Sequence, residues 1–318
     1  MPGAGLAGQV RAGQERAVAR AITVVERGGL EAEALLAALR GSDTAAWRVG
    51  LTGAPGVGKS SLTQALGLAL REEGERVAVL AVDPSSPYSG GALLGDRVRM
   101  PELLRRGAFV RSMATRGALG GLSAAAGDAL DVLDAAGFPW VLVETVGVGQ
   151  DEVDVASTVD TVVVVTVAGL GDDIQAAKAG ILEIADIFVV NKADRPGAEA
   201  QVAALEGMLE LQPAGEWRPP VIRASARSGE GIAELRQAIG RHRVFLEANG
   251  RRAARRHRQA AERILRLVAA LASERVRRDF QAMLEQAVGA VMQGRQDVHG
   301  AARRLFASLQ GVGAAREA

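Results

Sequence analysis

The stretch Gly53-Ala54-Pro55-Gly56-Val57-Gly58-Lys59-Ser60-Ser61 decides the fold. It fits the phosphate-loop pattern G-x-x-x-x-G-K-S/T in full. An apolar run over 47–52 precedes it and reads as a strand. An apolar-periodic run over 62–70 follows it and reads as a helix. That strand–loop–helix setting is the one in which the pattern carries chemistry. Its glycines let backbone N–H groups curl around phosphate oxygens, and the helix N-terminus adds partial positive charge. In this reading Gly53, Gly56, Val57, Gly58, Lys59, Ser60 and Ser61 line a phosphate site. Lys59 reaches the β- and γ-phosphates, and Ser60 ligates Mg2+.

Outward from the loop, short apolar runs alternate with helical ones. Strands are expected at 47–52, 77–82, 109–113, 140–144, 161–167, 187–190 and 221–224. Helices suit 122–136, 173–183 and 198–211. Near-continuous Val/Ile/Leu strands imply burial on both faces, hence an α/β fold with a mainly parallel sheet and helices on both sides. Residues 5–40 read as helical, with breaks near Gly28-Gly29 and Gly41. Residues 230–247 and 251–310 also read as helices. The expected organisation is a helical extension over 1–44, a nucleotide domain over 45–247 and a helical arm over 248–318.

Composition narrows the function classes. At 318 residues and 48% hydrophobic residues, the chain has material for a large α/β core. The net charge of +1 does not suggest a nucleic-acid binder. The chain has no cysteine, which excludes a disulfide scaffold, a thiolate metal site and a cysteine nucleophile. No uninterrupted apolar run approaches the ~20 residues of a membrane span, and charges at 11–27 argue against a secretory leader. A soluble, cytoplasmic protein is expected.

The base is read from Asn191-Lys192-Ala193-Asp194, directly after the strand at 187–190. A carboxylate at Asp194 can accept from guanine N1–H and from its exocyclic amine. Adenine offers no matching donor pair, and unpaired buried groups penalise the wrong base. Asn191 would support the loop and the Lys192 stem would cover one face of the base. Ser225-Ala226-Arg227 is expected to bring an amide near guanine O6. GTP and GDP are therefore the expected ligands.

A third element is Glu144-Thr145-Val146-Gly147-Val148-Gly149-Gln150. Most GTPases carry D-x-x-G here; this chain has E-x-x-G. Glu144 is expected to hold Mg2+ and the Gly147 N–H to meet the γ-phosphate. Gln150 is a candidate to orient water. Asp83 and Asp96 lie where α/β sheets bind ligands, outside the carboxyl ends of strands. With Ser60 and Glu144 they form the expected metal set; the other reading of Asp96 is a helix N-cap before 97–106.

These segments, with 79–86, 90–100, 143–150 and 168–175, resemble the MeaB/ArgK-type GTPases of the SIMIBI class, relatives of the methylmalonic aciduria type A protein. The resemblance covers about residues 46–195. It implies a GTPase chaperone of an adenosylcobalamin-dependent acyl-CoA mutase, chiefly methylmalonyl-CoA mutase. It also implies a homodimer joined through C-terminal helices and a third switch from Ala168 to about Gly180 carrying Gln175 and Lys178. Pro87-Tyr88 and Asp151-Glu152 depart from the family pattern without touching the phosphate or metal positions. Three other readings are weighed: an ATP-dependent transport kinase, a nickel metallochaperone GTPase and a nucleic-acid-binding GTPase. The last rests on the arginines at 251, 252, 255, 256 and 258, which otherwise read as a solvated helix face.

Overall fold

The computed structural model describes residues 2–41, 45–83, 100–114, 121–145, 157–169, 183–211, 213 and 215–311. Among the described residues seven strands form one parallel sheet: β1 (Trp47–Thr52), β2 (Val77–Asp83), β3 (Phe109–Ala114), β4 (Trp140–Thr145), β5 (Thr161–Val167), β6 (Ile187–Asn191) and β7 (Val221–Arg223). Their order is β3-β2-β4-β1-β5-β6-β7. Every strand expected from the apolar runs is present, with ends shifted by at most one residue.

The valine runs are explained by the side-chain period of two. Along β5, Val162 and Val164 enter one core while Val163 and Val165 enter the other. Phe188 and Val190 of β6 likewise oppose Ile187 and Val189. Both faces of the sheet are thus roofed by helices, as a parallel sheet requires. On one face lie α1 (Pro2–Arg11), α2 (Glu15–Arg27), α3 (Gly29–Leu39), α6 (Gly121–Ala135) and α7 (Ala198–Glu210). On the other lie α4 (Lys59–Glu72), α5 (Pro101–Arg105) and α8 (Ile232–Glu247).

Helix α2 shows why the N-terminal segment joins this core. Val18, Ala21, Ile22 and Val25 recur at helical spacing, and all four are buried. The segment breaks at 12–14 as well as near Gly28, a break its periodicity does not announce.

The chain divides into two compact units, 1–260 and 261–318. The division falls within α9 (Arg251–Asp279). The second unit contains α10 (Gln281–Met292) and α11 (Val298–Gly311), with Ala301 and Leu305 buried.

One expectation is corrected here for three of its residues. Arg252, Arg255 and Arg256 at the start of α9 are not part of a solvated face, whereas Arg258 is exposed. Arg252 and Arg256 donate to the Asp160 carboxylate, at 3.2 and 2.8 Å to Oδ2. Arg255 grips Asp186 with two bonds of 3.0 and 2.9 Å. Asp160 is 1% exposed. Burial pushes its carboxyl up, but the hydrogen bonds and charges of Arg256 and Arg252 outweigh this and hold it at about 2.

A carboxyl held below its unfolded value of about 3.9 contributes stability that is present above that value and is lost as pH falls toward about 2. For Asp160 the contribution is roughly 2–3 kcal/mol. Asp160→Asn leaves two arginines facing a neutral amide and is expected to cost on the order of 3 kcal/mol. Chemical denaturation at pH 7 measures this. The same titration repeated down to pH 3 should show a shallower loss in the variant than in the parent chain.

Candidate nucleotide site

The site lies at the C-terminal ends of β1, β4 and β6. This is the switch point at which the strand order runs outward from β1 on both sides. The phosphate loop leaves β1 at Gly53. Its φ of 140° suits glycine, and a Cβ there would stand 2.1 Å from the Val165 carbonyl oxygen. Gly58, at φ 94°, would place a Cβ 2.6 Å from Asn191 Nδ2. The two glycines therefore let the loop lie flat against β5 and against the loop after β6.

Lys59 opens α4 and is buried, with Nζ donating to the carbonyls of Gly53 and, at 3.1 Å, Ala54. The ammonium is thus held inside the curl of the loop. Thr63 Oγ1 closes the first turn on the Lys59 carbonyl at 3.0 Å. Val57 is buried beneath the loop, while Gly56 and Ser61 are exposed.

Ser60 Oγ donates to Glu144 Oε1, which lies near the end of β4. One residue on, Thr145 Oγ1 meets Thr52 Oγ1 at 3.4 Å. The first turn of α4 and the end of β4 thus bring a hydroxyl and a 1%-exposed carboxylate into contact beside the phosphate loop. Hard oxygen donors of this kind suit Mg2+, which takes one or two carboxylates and completes its shell with phosphate and water. Among the described residues no cluster of three or more His, Asp or Glu side chains stands ready to hold a metal. Of the other metal candidates, Asp83 ends β2, and its side chain lies outside the described residues. Asp96 lies outside them altogether, as do Gly147, Gln150, Gln175 and Lys178.

The base loops meet the phosphate loop through Asn191. Its Nδ2 donates to the Val57 carbonyl at 2.8 Å, and its Oδ1 accepts from the Ala226 N–H at 3.3 Å. Lys192 has φ 57°, and its Nζ reaches the Gly56 carbonyl at 2.7 Å. The lysine stem consequently runs alongside the phosphate loop. Asp194 is exposed, and its Oδ1 accepts from Ser225 Oγ at 2.8 Å. That hydrogen bond is the main cause that holds its carboxyl below the ordinary value, so it stays ionised and able to accept. Ser225 is itself fully buried, with its N–H on the Glu230 carbonyl at 2.9 Å.

The structure thus gathers Gly53, Gly56, Val57, Gly58, Lys59, Ser60, Ser61, Glu144, Asn191, Lys192, Asp194, Ser225 and Ala226 around one end of the sheet. Two contacts were not expected from the chain itself. The Ser225 hydroxyl aims Asp194, where only an amide was expected from its loop. Thr145 pairs with Thr52 across β1 and β4, a contact that needs the strand register Leu51 opposite Glu144.

Gly53→Ala tests this packing. The added methyl meets backbone rather than a movable side chain, so the expected loss is at least about 2 kcal/mol of stability. Thermal unfolding reads it directly. Gly56→Ala, with no atom within 4 Å of its would-be Cβ, should cost less.

Comparison with known proteins agrees with this geometry. Residues 18–281 match the family model described as methylmalonyl Co-A mutase-associated GTPase MeaB. A Pyrococcus abyssi protein with a provisional GTPase designation is 45% identical over 311 residues, covering 96% of both chains. GTPase ArgK of Escherichia coli is 40% identical over 265 residues, covering 80% of each. The mouse mitochondrial methylmalonic aciduria type A homolog is 43% identical over 219 residues, 67% of this chain and 53% of that protein. Among solved structures, an LAO/AO transport system kinase is 30% identical and superposes with a TM-score of 0.74 over 97% of both chains. A phosphate loop and an N-K-x-D loop bolted together by Asn191, with relatives of this closeness across almost the whole chain, identify a P-loop GTPase that belongs to the MeaB family.

Proposed function

We propose that the chain hydrolyses GTP at this site in a Mg2+-dependent cycle that serves an adenosylcobalamin-dependent acyl-CoA mutase, with methylmalonyl-CoA mutase the first candidate. In this reading the cycle gates cofactor loading and protects the mutase. The homodimer implied by the family resemblance belongs to the same proposal. The observation that carries it is the Asn191 carboxamide, which joins the phosphate loop to a base loop whose Asp194 is held ionised and aimed by Ser225.

Each residue's work follows from its placement. Lys59 brings a buried ammonium to the phosphates, where charge-assisted bonds to phosphate oxygens exceed those it makes to neutral carbonyls. Ser60 and Glu144 would hold Mg2+, which when bound neutralises charge on the β- and γ-phosphates. Asp194 accepts from the two donors of guanine, and Ala226 lies on the loop that faces O6. Phosphoryl transfer asks mainly for positioning and charge neutralisation, and these groups supply both. Gly147 and Gln150, which follow Glu144 in the chain, are proposed to meet the γ-phosphate and the attacking water. Asp83 and Asp96 are proposed to complete the metal shell through water.

The name of the LAO/AO transport system kinase to which this chain is structurally similar raises an alternative, an ATP-dependent kinase linked to transport. Asp194 disfavours it, because adenine cannot donate to it in the required pattern.

Lys59→Ala should lower GTP turnover at least about a hundredfold, since it removes the charge aimed at the transferring group. Turnover near that of the parent chain would refute the assignment. Asp194→Asn should weaken GTP by on the order of a hundredfold or more. It should strengthen xanthosine triphosphate, whose 2-carbonyl accepts from the new amide. Competition binding measures both, and ATP binding as tightly as GTP in the parent chain would favour the kinase. Turnover measured with and without a cobalamin-dependent mutase tests the partner, and an unchanged rate would remove it.

A further inference from the structure

Two strands of the sheet start in the same way. Asp160 precedes β5 and Asp186 precedes β6. The Asp160 N–H donates to the Arg48 carbonyl at 2.9 Å while its Oδ2 accepts from the Arg48 N–H at 3.0 Å. The Asp186 N–H donates to the Val162 carbonyl at 2.9 Å while its Oδ2 accepts from the Val162 N–H at 2.8 Å. Each aspartate therefore forms a reciprocal pair with one residue of the neighbouring strand. The pair adds rungs to the parallel ladder at the strand foot, where backbone groups would otherwise lack partners.

The outer sides of both carboxylates are then taken by a single helix face. Arg252, Arg255, Arg256 and Gln259 recur at i, i+3, i+4 and i+7 along the first turns of α9. Arg252 and Arg256 hold Asp160, and both also donate to the Ala46 carbonyl at 2.7 and 2.8 Å. Gln259 Nε2 donates to the Val159 carbonyl at 2.8 Å. Arg255 holds Asp186, whose Oδ1 also lies 3.3 Å from His242 Nε2. Trp217 Nε1 closes on the Asp186 carbonyl at 2.8 Å. Burial raises the Asp186 carboxyl, and the His242 bond and Arg255 charge more than reverse it.

The other end of β6 is Asn191. Five residues of strand span only about 17 Å, and all five are buried on both sides. A rotation or slip at the Asp186 foot therefore has no soft element in which to dissipate before it reaches the residues that bind the base.

We infer that Arg255 on the foot of β6, with Arg252, Arg256 and Gln259 on the adjoining foot of β5, is a brace that sets the seats of these two paired strands and thereby the alignment of Asn191 and Asp194 with the guanine edge. These are positioning residues for base discrimination, placed at the opposite end of the strands from the nucleotide site. The inference rests on the guanine-site reading above.

The test is the ratio of GDP to IDP affinity, measured on the full chain by displacement of a fluorescent guanine nucleotide. IDP lacks only the exocyclic amine. A change that merely unfolds part of the sample weakens both ligands by the same factor and cancels in the ratio. Arg255→Met should lower the ratio about tenfold, the scale of one misaligned hydrogen bond to a charged group. Arg255→Lys keeps the charge without the fork and should recover part of it. Gln259→Ala, a milder change, should lower the ratio in the same direction. Arg258→Gln, on the exposed side of the helix, should leave it unchanged. A lowered melting temperature with an unchanged ratio in both Arg255→Met and Gln259→Ala would overturn the brace. Equal affinity for GDP and IDP in the parent chain would instead sink the guanine assignment itself.

Discussion

The structure depends most on one carboxamide. Asn191 donates to the phosphate loop at Val57 and accepts from the base loop at Ala226. Neither loop is regular structure, and each leaves polar backbone that must find a partner. A side chain with one donor end and one acceptor end, buried at a strand terminus, satisfies one group from each. No other residue type of that length offers both at once. The glycine at 58 follows from this, since a Cβ there would stand on the carboxamide nitrogen. So does the left-handed backbone at Lys192, which turns the chain sharply and lays the lysine along the loop. The position of the phosphate loop and the position of the loop at 225–226 are thus one geometric fact rather than two.

This end of the molecule was legible because its chemistry is local. A phosphate loop is a contiguous string, and so is the base loop. The buried strands announced themselves because both faces must be apolar, a demand that Val162–Val165 meet residue by residue. The sheet ends gave no such signal. Asp160 and Asp186 work through partners between roughly 25 and 110 residues away, in strands and a helix that only folding brings together. In the chain they look like ordinary acids in turns. The arginines of α9 look like a solvated stripe for the same reason: their spacing matches a helix face, and spacing alone does not say what that face meets. The repeated pattern of an aspartate directly before a β-branched buried run was the available clue. Likewise, the Ser225 hydroxyl could not be told from its amide as the functional group until its distance to Asp194 was known.

The two ends of the sheet solve opposite problems with the same materials. At the C-terminal end the backbone must leave donors free for a ligand, so glycines and a helix N-terminus dominate, and the few side chains there aim rather than fill. At the N-terminal end unpaired strand-end groups near the core would be costly. Carboxylates cap them, but a capped carboxylate is itself a buried charge. Arginine is the side chain suited to the second task. The Arg255 fork pairs both oxygens of Asp186 at once, and Arg252 and Arg256, while holding Asp160, also reach the Ala46 carbonyl.

That sequence of demands explains why the first turns of α9 are polar where α2 is apolar, although both are clamped against the same unit. A helix lying across the face of a sheet meets side chains and buries hydrocarbon, as Val18, Ile22 and Val25 do. A helix lying across the ends of strands meets backbone carbonyls and capping acids, and an apolar face there would strand them. The amphipathic pattern of α9 is therefore inverted, with Arg252, Arg255, Arg256 and Gln259 inward and Ala253, Ala254 and His257 toward solvent. Arginine stems also cover aromatic rings at this end: the Arg252 guanidinium lies 4.6 Å from the Trp47 ring and that of Arg251 4.6 Å from Phe245. The ion pairs supply direction and the stems supply burial. A helix seated this way is fixed in rotation and in register, which an apolar stripe alone does not guarantee, and the strand feet beneath it are fixed with it.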